Sequence, residues 1–258
     1  MARENRGDTR GTEMFSRFAY APNHLGYCGP EDAAALREGS SADVRALARG
    51  FTGAWPYLEV MARMTGIADP LDHRLVASYW LGGGIGARLD AGEFAAELLE
   101  VIAPVAGRYW QHLRADIADE AAPNHCFHVF GVYPWSRLLG STTVDIPMRV
   151  LDDCRISWGR VLTRQDDDLV IECRRLGWDG RQLRLTEPRA RRVPVWIDGY
   201  SAVPDAAPGD TVAIHWNHLC ARLDSTQVRA LTESTGRQLD LTNRRLARAA
   251  PPPSPRVE

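Results

Sequence analysis

The chain is predicted to be α+β, with an all-α N-terminal domain, then a small β-barrel and a closing helix. Three observations predict it. Apolar residues recur at helical spacing, with helix-start signals, from about Pro30 to Ala118. From His125 onward they alternate, in short β-branched runs parted by polar turns. A last helical stretch follows Ser225, a plausible cap. The expected organisation is a disordered tail over residues 1–12, a helical domain over 13–122, a barrel with its helix over 123–240, and a disordered proline-rich tail over 248–258. With 258 residues, 45% of them apolar, the chain can bury a substantial core.

In the first half, Pro30 followed by Glu31 and Asp32 signals a helix start, with proline at the first position and acids in the first turn. Ser41 can cap a helix with Val44, Leu47, Ala48 and Phe51 on one face. Pro56 opens another that carries Leu58, Met61 and Ala62, and Gly66 can close it. Asp72 caps a helix with Leu75, Val76 and Tyr79 inward. A last stretch runs from about Ala91 to Ala118, kinked near Pro104. Gly82-Gly83-Gly84-Ile85-Gly86 has no preceding strand and no following lysine, so it is a helix terminus rather than a phosphate cradle.

In the second half, strands are expected over 125–133, 149–157, 159–163, 169–174, 182–185, 193–197 and 211–216, then a helix over about 225–235. Turns such as Trp178-Asp179-Gly180 separate them. Several short strands at this spacing suggest a small barrel.

Composition excludes several functions. All 31 basic residues are arginine. Without lysine there is no Schiff base, no lysine-linked pyridoxal site and no Walker A loop. The net charge is −2 and no segment is strongly basic, which argues against nucleic-acid binding. No apolar leader is visible, and the longest apolar stretch is broken by Glu97, Glu100 and Pro104, so no membrane association is expected. Five cysteines without framework spacing suit a reducing cytoplasm.

The candidate chemistry lies in cysteines and histidines. His125-x-x-His128 and His215-x-x-His218 share a spacing. Residues i and i+3 lie on one face of a helix but on opposite faces of a strand. With the first pair on a strand, the four histidines do not form a simple zinc site. One histidine from each pair can still converge with a cysteine. The alternative makes His125 and His128 polar core or turn residues. Cys28 lies in Gly26-Tyr27-Cys28-Gly29-Pro30, where a helix start would favour its thiolate; the alternative is a small buried residue in a tight turn. Cys126, Cys173 and Cys220 lie in apolar surroundings and are expected to be packing residues. Cys154 lies in Asp153-Cys154-Arg155-Ile156-Ser157-Trp158-Gly159-Arg160-Val161. Farther on, Pro208-Gly209-Asp210 turns into an apolar strand ending at His215, and Leu223-Asp224 opens the last helix.

Those two pieces, in that order, resemble the HypC/HupF family of [NiFe]-hydrogenase maturation chaperones over about residues 153–235. Cys154 stands five residues before Gly159, as in that family, and Pro208, Gly209, Asp210, His215, Leu223 and Asp224 match its offsets. This sequence has Trp158 where the family has proline, and its cysteine is internal rather than at the chain start. The resemblance implies an OB-like barrel with a helix. It implies that Cys154 is a thiolate ligand, with His215 beside it, for an iron carrying cyanide and carbon monoxide. It implies as partner the hydrogenase large subunit or another maturation protein. The whole chain also resembles an uncharacterised actinobacterial family. Three functional expectations follow. The first is a cytoplasmic accessory chaperone that is not itself an enzyme. The second is a metalloenzyme with Cys28, His125 or His128, Cys154 and His215 between the halves. The third is a structural or protein-interaction module.

Overall fold

A computed structural model describes residues 8–31, 34–102, 115–139 and 145–249. The first element is α1, Arg10–His24. It starts inside the expected tail, and Thr12, Phe15, Phe18 and Ala19 are buried. The polar opening of the sequence hid an amphipathic helix whose apolar residues begin only at Met14.

The next helix is α2, Ala35–Glu38, rather than one starting at Pro30. Asp32 lies outside the described residues. Helix α3 is Ser41–Ala48, and its cap is Ser40, not Ser41. Ser40 and Asp43 form a reciprocal capping box. Pro56 sits in the first turn of α4, Trp55–Thr65, which ends on Gly66 at φ 71°. Asp72 caps α5, His73–Leu81, by accepting from the Arg74 amide at 2.9 Å. The glycine run is its C-terminus; a Cβ at Gly82 would come within 2.6 Å of Ser234, so glycine permits close helix approach there. Helix α6 is Ala91–Ile102, and the kink expected near Pro104 falls outside the described residues.

The segment expected as the first strand is helical. Asn124 caps α7, His125–Phe127, which runs straight into a π-helical turn, His128–Val132. Every residue from His125 to Val132 is buried. With both sets of alternate positions buried, apparent alternation carries no information about period. The expected strand at 149–157 is likewise replaced over most of its length by α8, Asp145–Cys154, with Val150, Leu151 and Cys154 buried.

The sheet follows: β1 Ser157–Gln165, β2 Asp168–Cys173, β3 Leu176–Trp178, β4 Leu183–Leu185, β5 Arg189–Pro194, β6 Thr211–His215 and β7 His218–Arg222. Five strands pair antiparallel in the order β5-β2-β1-β6-β7, and β3 and β4 form a separate hairpin. Strands β5 and β7 are unjoined edges, so the sheet is open and the expected closed barrel is not formed. Asp224 and Gln227 cap α9, Ser225–Ala249, which runs well beyond the expected end at Thr235. Its buried stripe holds Leu231, Thr235, Gln238, Leu239 and Thr242. Glu120 accepts from Arg245 Nε at 2.5 Å and anchors the last turns.

The helical segments and the sheet share one apolar core. Phe15, Phe18, Trp80 and Phe127 belong to the same cluster as Ile156, Ala213, Cys220 and Leu231. A second cluster packs Val150, Leu151 and Cys154 of α8 against Val129, Phe130 and Trp216, and so sets the end of α8 beside the π-helical turn and the end of β6.

Candidate metal centre

Three elements deliver three side chains to one point. His125 comes from the first turn of α7, Cys154 from the last residue of α8, and His215 from the last residue of β6. One ligand atom from each lies within 4.8 Å of the others. All three side chains are buried.

The backbone explains how each is held. A two-residue turn, Trp216-Asn217, joins β6 to β7, and His215 pairs with His218 across it. Both turn residues have positive φ, 49° and 63°, as a type I′ hairpin requires. Tryptophan is strained in that region. It is held by a bond from its amide to the Asp153 carbonyl at 2.8 Å and by stacking on Tyr27, with centroids 4.0 Å apart. The Asp153 contact also ties the hairpin to the end of α8.

Beside Cys154, Asp152 is buried and forms an ion pair with the fully buried Arg155 at 2.9 Å. Asp152 also pairs with Arg175 and accepts from the Leu176 amide. Arg155 donates to the Arg174 carbonyl at 2.6 Å. This network sets the path from α8 into β1.

Hydrogen bonds define the imidazoles. His215 Nδ1 donates to the Phe18 carbonyl at 2.7 Å, which leaves the lone pair on Nε2. That Nε2 is buried and has no hydrogen-bond partner. His125 Nε2 donates to the Cys154 carbonyl at 2.8 Å, and its Nδ1 lies 3.3 Å from the Tyr79 hydroxyl. Burial pulls the His125 pKa down to about 4. Burial, then the neighbouring His125, holds His215 well below the usual histidine range. Burial pushes the Cys154 thiol up. At neutral pH the site therefore presents two neutral imidazoles and a protonated thiol.

The other expected ligands fall outside this trio. His128 stacks beside His125, with centroids 5.9 Å apart, and is itself buried with an unpartnered Nδ1. A Cβ at Gly53 would come within 2.8 Å of its Nε2, so a glycine makes room for the ring. Cys28 does not gain a helix N-terminus, because the next helix opens only at Ala35. Burial pushes its thiol up to about 11, which agrees with the buried-residue alternative rather than with partial ionisation. Cys28 and Cys154 instead line the same cavity, of about 510 Å³, together with Tyr27, Trp135, Leu138 and Trp216. Cys126, Cys173 and Cys220 are buried as packing residues.

Sequence reasoning missed the aromatic cavity walls and the helical setting of His125. Asn124 was the usable signal: asparagine is a preferred cap, and here it accepts from the Phe127 amide at 3.0 Å.

The donor set is two nitrogens and one sulfur. Such a set suits zinc or iron, and a histidine whose second nitrogen donates to a carbonyl is oriented as metal-binding histidines usually are. Among the described residues no helix is long and apolar enough to cross a membrane. No curated protein and no solved structure matches the chain. One family model matches residues 7–249, and it is not that of the HypC/HupF chaperones. The chain belongs to the family described as Family of unknown function (DUF6390).

Proposed function

We propose that this protein binds one transition-metal ion through His125, Cys154 and His215 and leaves a coordination position open. The observation that carries this reading is His215 Nε2. It holds a lone pair, is buried without a partner, and belongs to a residue whose ligand atom lies within 4.8 Å of those of His125 and Cys154. An unsatisfied buried polar atom costs about 1–3 kcal/mol, and a metal ion would offset that cost. Three protein ligands characterise reactive zinc sites, whereas structural sites close with four. A bound ion would supply Lewis acidity at the open position. The chain's own part is to exclude water, to hold both imidazoles neutral and to release one proton from Cys154 on loading.

Elemental analysis of the full chain, equilibrated with zinc, cobalt or ferrous iron, tests the reading. One ion per chain is expected, with loss in Cys154→Ser and in His215→Ala. No stoichiometric ion with any of the three would overturn it.

A second reading is an accessory role in [NiFe]-hydrogenase maturation. The juxtaposition of Cys154 and His215 favours it, because the HypC/HupF resemblance implies that pair as holder of an iron fragment. Under this reading the protein is not an enzyme, and it contacts the hydrogenase large subunit or another maturation protein. Infrared bands of metal-bound cyanide and carbon monoxide, in protein co-produced with maturation proteins and absent from Cys154→Ser, are its expected signature.

A further inference from the structure

We propose that the cavity beside Cys154 binds an uncharged, largely apolar small molecule and places it within reach of the metal's open position. The second clause rests on the metal reading above; the first rests on the cavity alone.

The cavity measures about 510 Å³, within the ~300–1,000 Å³ typical of small-molecule sites. It is a walled site rather than a flat apolar face. Tyr27 stacked on Trp216 forms one wall, and Trp135 and Leu138 contribute to the lining. Cys154, the member of the trio that lines the cavity, connects it to the candidate metal centre.

The lining selects against charge. Among the described residues that line it, none is aspartate, glutamate, arginine or histidine. A charged ligand would lose its hydration there and meet no counter-ion among the described lining residues, which is costly. A neutral ligand would gain from burying apolar surface against aromatic rings. The mouth is accessible: Tyr27 is 54% exposed and Leu138 43% exposed. Strain also points to this place. Trp216 sits at positive φ in a two-residue turn and thereby contributes its ring to the wall. Strained conformations of this kind persist where the surroundings over-determine them, often at ligand sites.

The test uses the full chain, metal-free and cobalt-loaded. N-phenyl-1-naphthylamine, neutral and fluorescent when buried, should bind one per chain in both forms. Its anionic relative 1-anilinonaphthalene-8-sulfonate should bind at least about tenfold more weakly. Leu138→Asp puts a charge at an exposed rim position and should weaken the neutral probe by about tenfold or more, with an unchanged circular dichroism spectrum. 4-Phenylimidazole, a neutral aromatic with one donor nitrogen, should shift the visible cobalt bands of the parent chain and not those of Leu138→Asp.

Absence of binding by the neutral probe, or binding that Leu138→Asp leaves unchanged, would overturn the cavity inference while leaving metal binding to stand. Preference for the anionic probe would overturn its charge selectivity. Probe binding as expected in a chain that takes up no cobalt would support the cavity inference and overturn the metal reading. Cobalt bands that do not respond to 4-phenylimidazole, in a chain that binds the neutral probe, would overturn the placement beside the metal.

Discussion

The two histidine pairs share a spacing and are both buried, but they differ in geometry. His125 and His128 sit on α7 and the π-helical turn that continues it, both buried, with rings 5.9 Å apart. His215 and His218 face each other across a two-residue hairpin turn. His215 packs on Trp80 and His125, whereas His218 lies against Tyr20 and His24. The candidate centre takes one member from each pair and adds Cys154. Identical spacing thus gives two geometries because one backbone is helical and the other reverses through a two-residue hairpin turn.

The sharpest way to break this comparison is to remove members of each pair in turn. His125→Ala and His215→Ala are each expected to take bound cobalt from one ion per chain to none at micromolar metal, measured by elemental analysis. If both variants retain a stoichiometric ion, the one-from-each-pair assignment fails.

The next largest effect concerns how Cys154 reaches the pair. Asp152→Ala leaves Arg155 buried without its carboxylate partner. Breaking such a buried pair costs about 3–5 kcal/mol, which urea unfolding would read as a lower midpoint. A change below about 1 kcal/mol would mean that the ion pair does not set this junction.

A third prediction uses acid. In the metal-free chain, the folded pKa of His125 is about 4 against an ordinary value of 6.5. The unfolded chain therefore binds more protons between those values, so stability falls as pH drops from about 6.5 towards 4. The His125 contribution is about 3 kcal/mol, and His215 and His128 add in the same direction. Unfolding midpoints that stay flat across this window would show that the histidines are solvated or charged in the folded state.

The smallest effects sharpen the comparison. His128→Ala and His218→Ala remove the second member of each pair, which makes no hydrogen bond to a ligand side chain, and should change cobalt affinity by less than about tenfold, below the roughly 10–100-fold that loss of a partner bonded to a ligand costs. Complete loss of metal in either variant would add that residue to the ligands.

Much of this was legible where local chemistry decides structure. Asp72, Gly66, Pro56 and the Pro208-Gly209-Asp210 turn act as their residue types predict. The β-branched run after that turn forms the strand that ends at His215, and one histidine from each pair lies close to Cys154. Three things were not legible. Residues 125–132 are buried on every side, so their period is invisible. Helix α8 carries Val150 and Leu151 in a short segment that suits strand and helix alike. Barrel closure depends on whether β5 meets β7, a long-range pairing that no local signal reports.

The bond from His215 to the Phe18 carbonyl spans 197 residues of chain. During synthesis α1 emerges long before β6, so the His215 lone pair is oriented only after the 197 residues that follow Phe18, up to His215, have been made. Contacts this distant form late, because loop closure must be met before they contribute. A metal ion therefore cannot nucleate this fold as it does in a zinc finger. Under the metal reading proposed above, loading would follow formation of this contact and the ion would enter by the cavity that Cys154 lines, at a rate set by access rather than by folding.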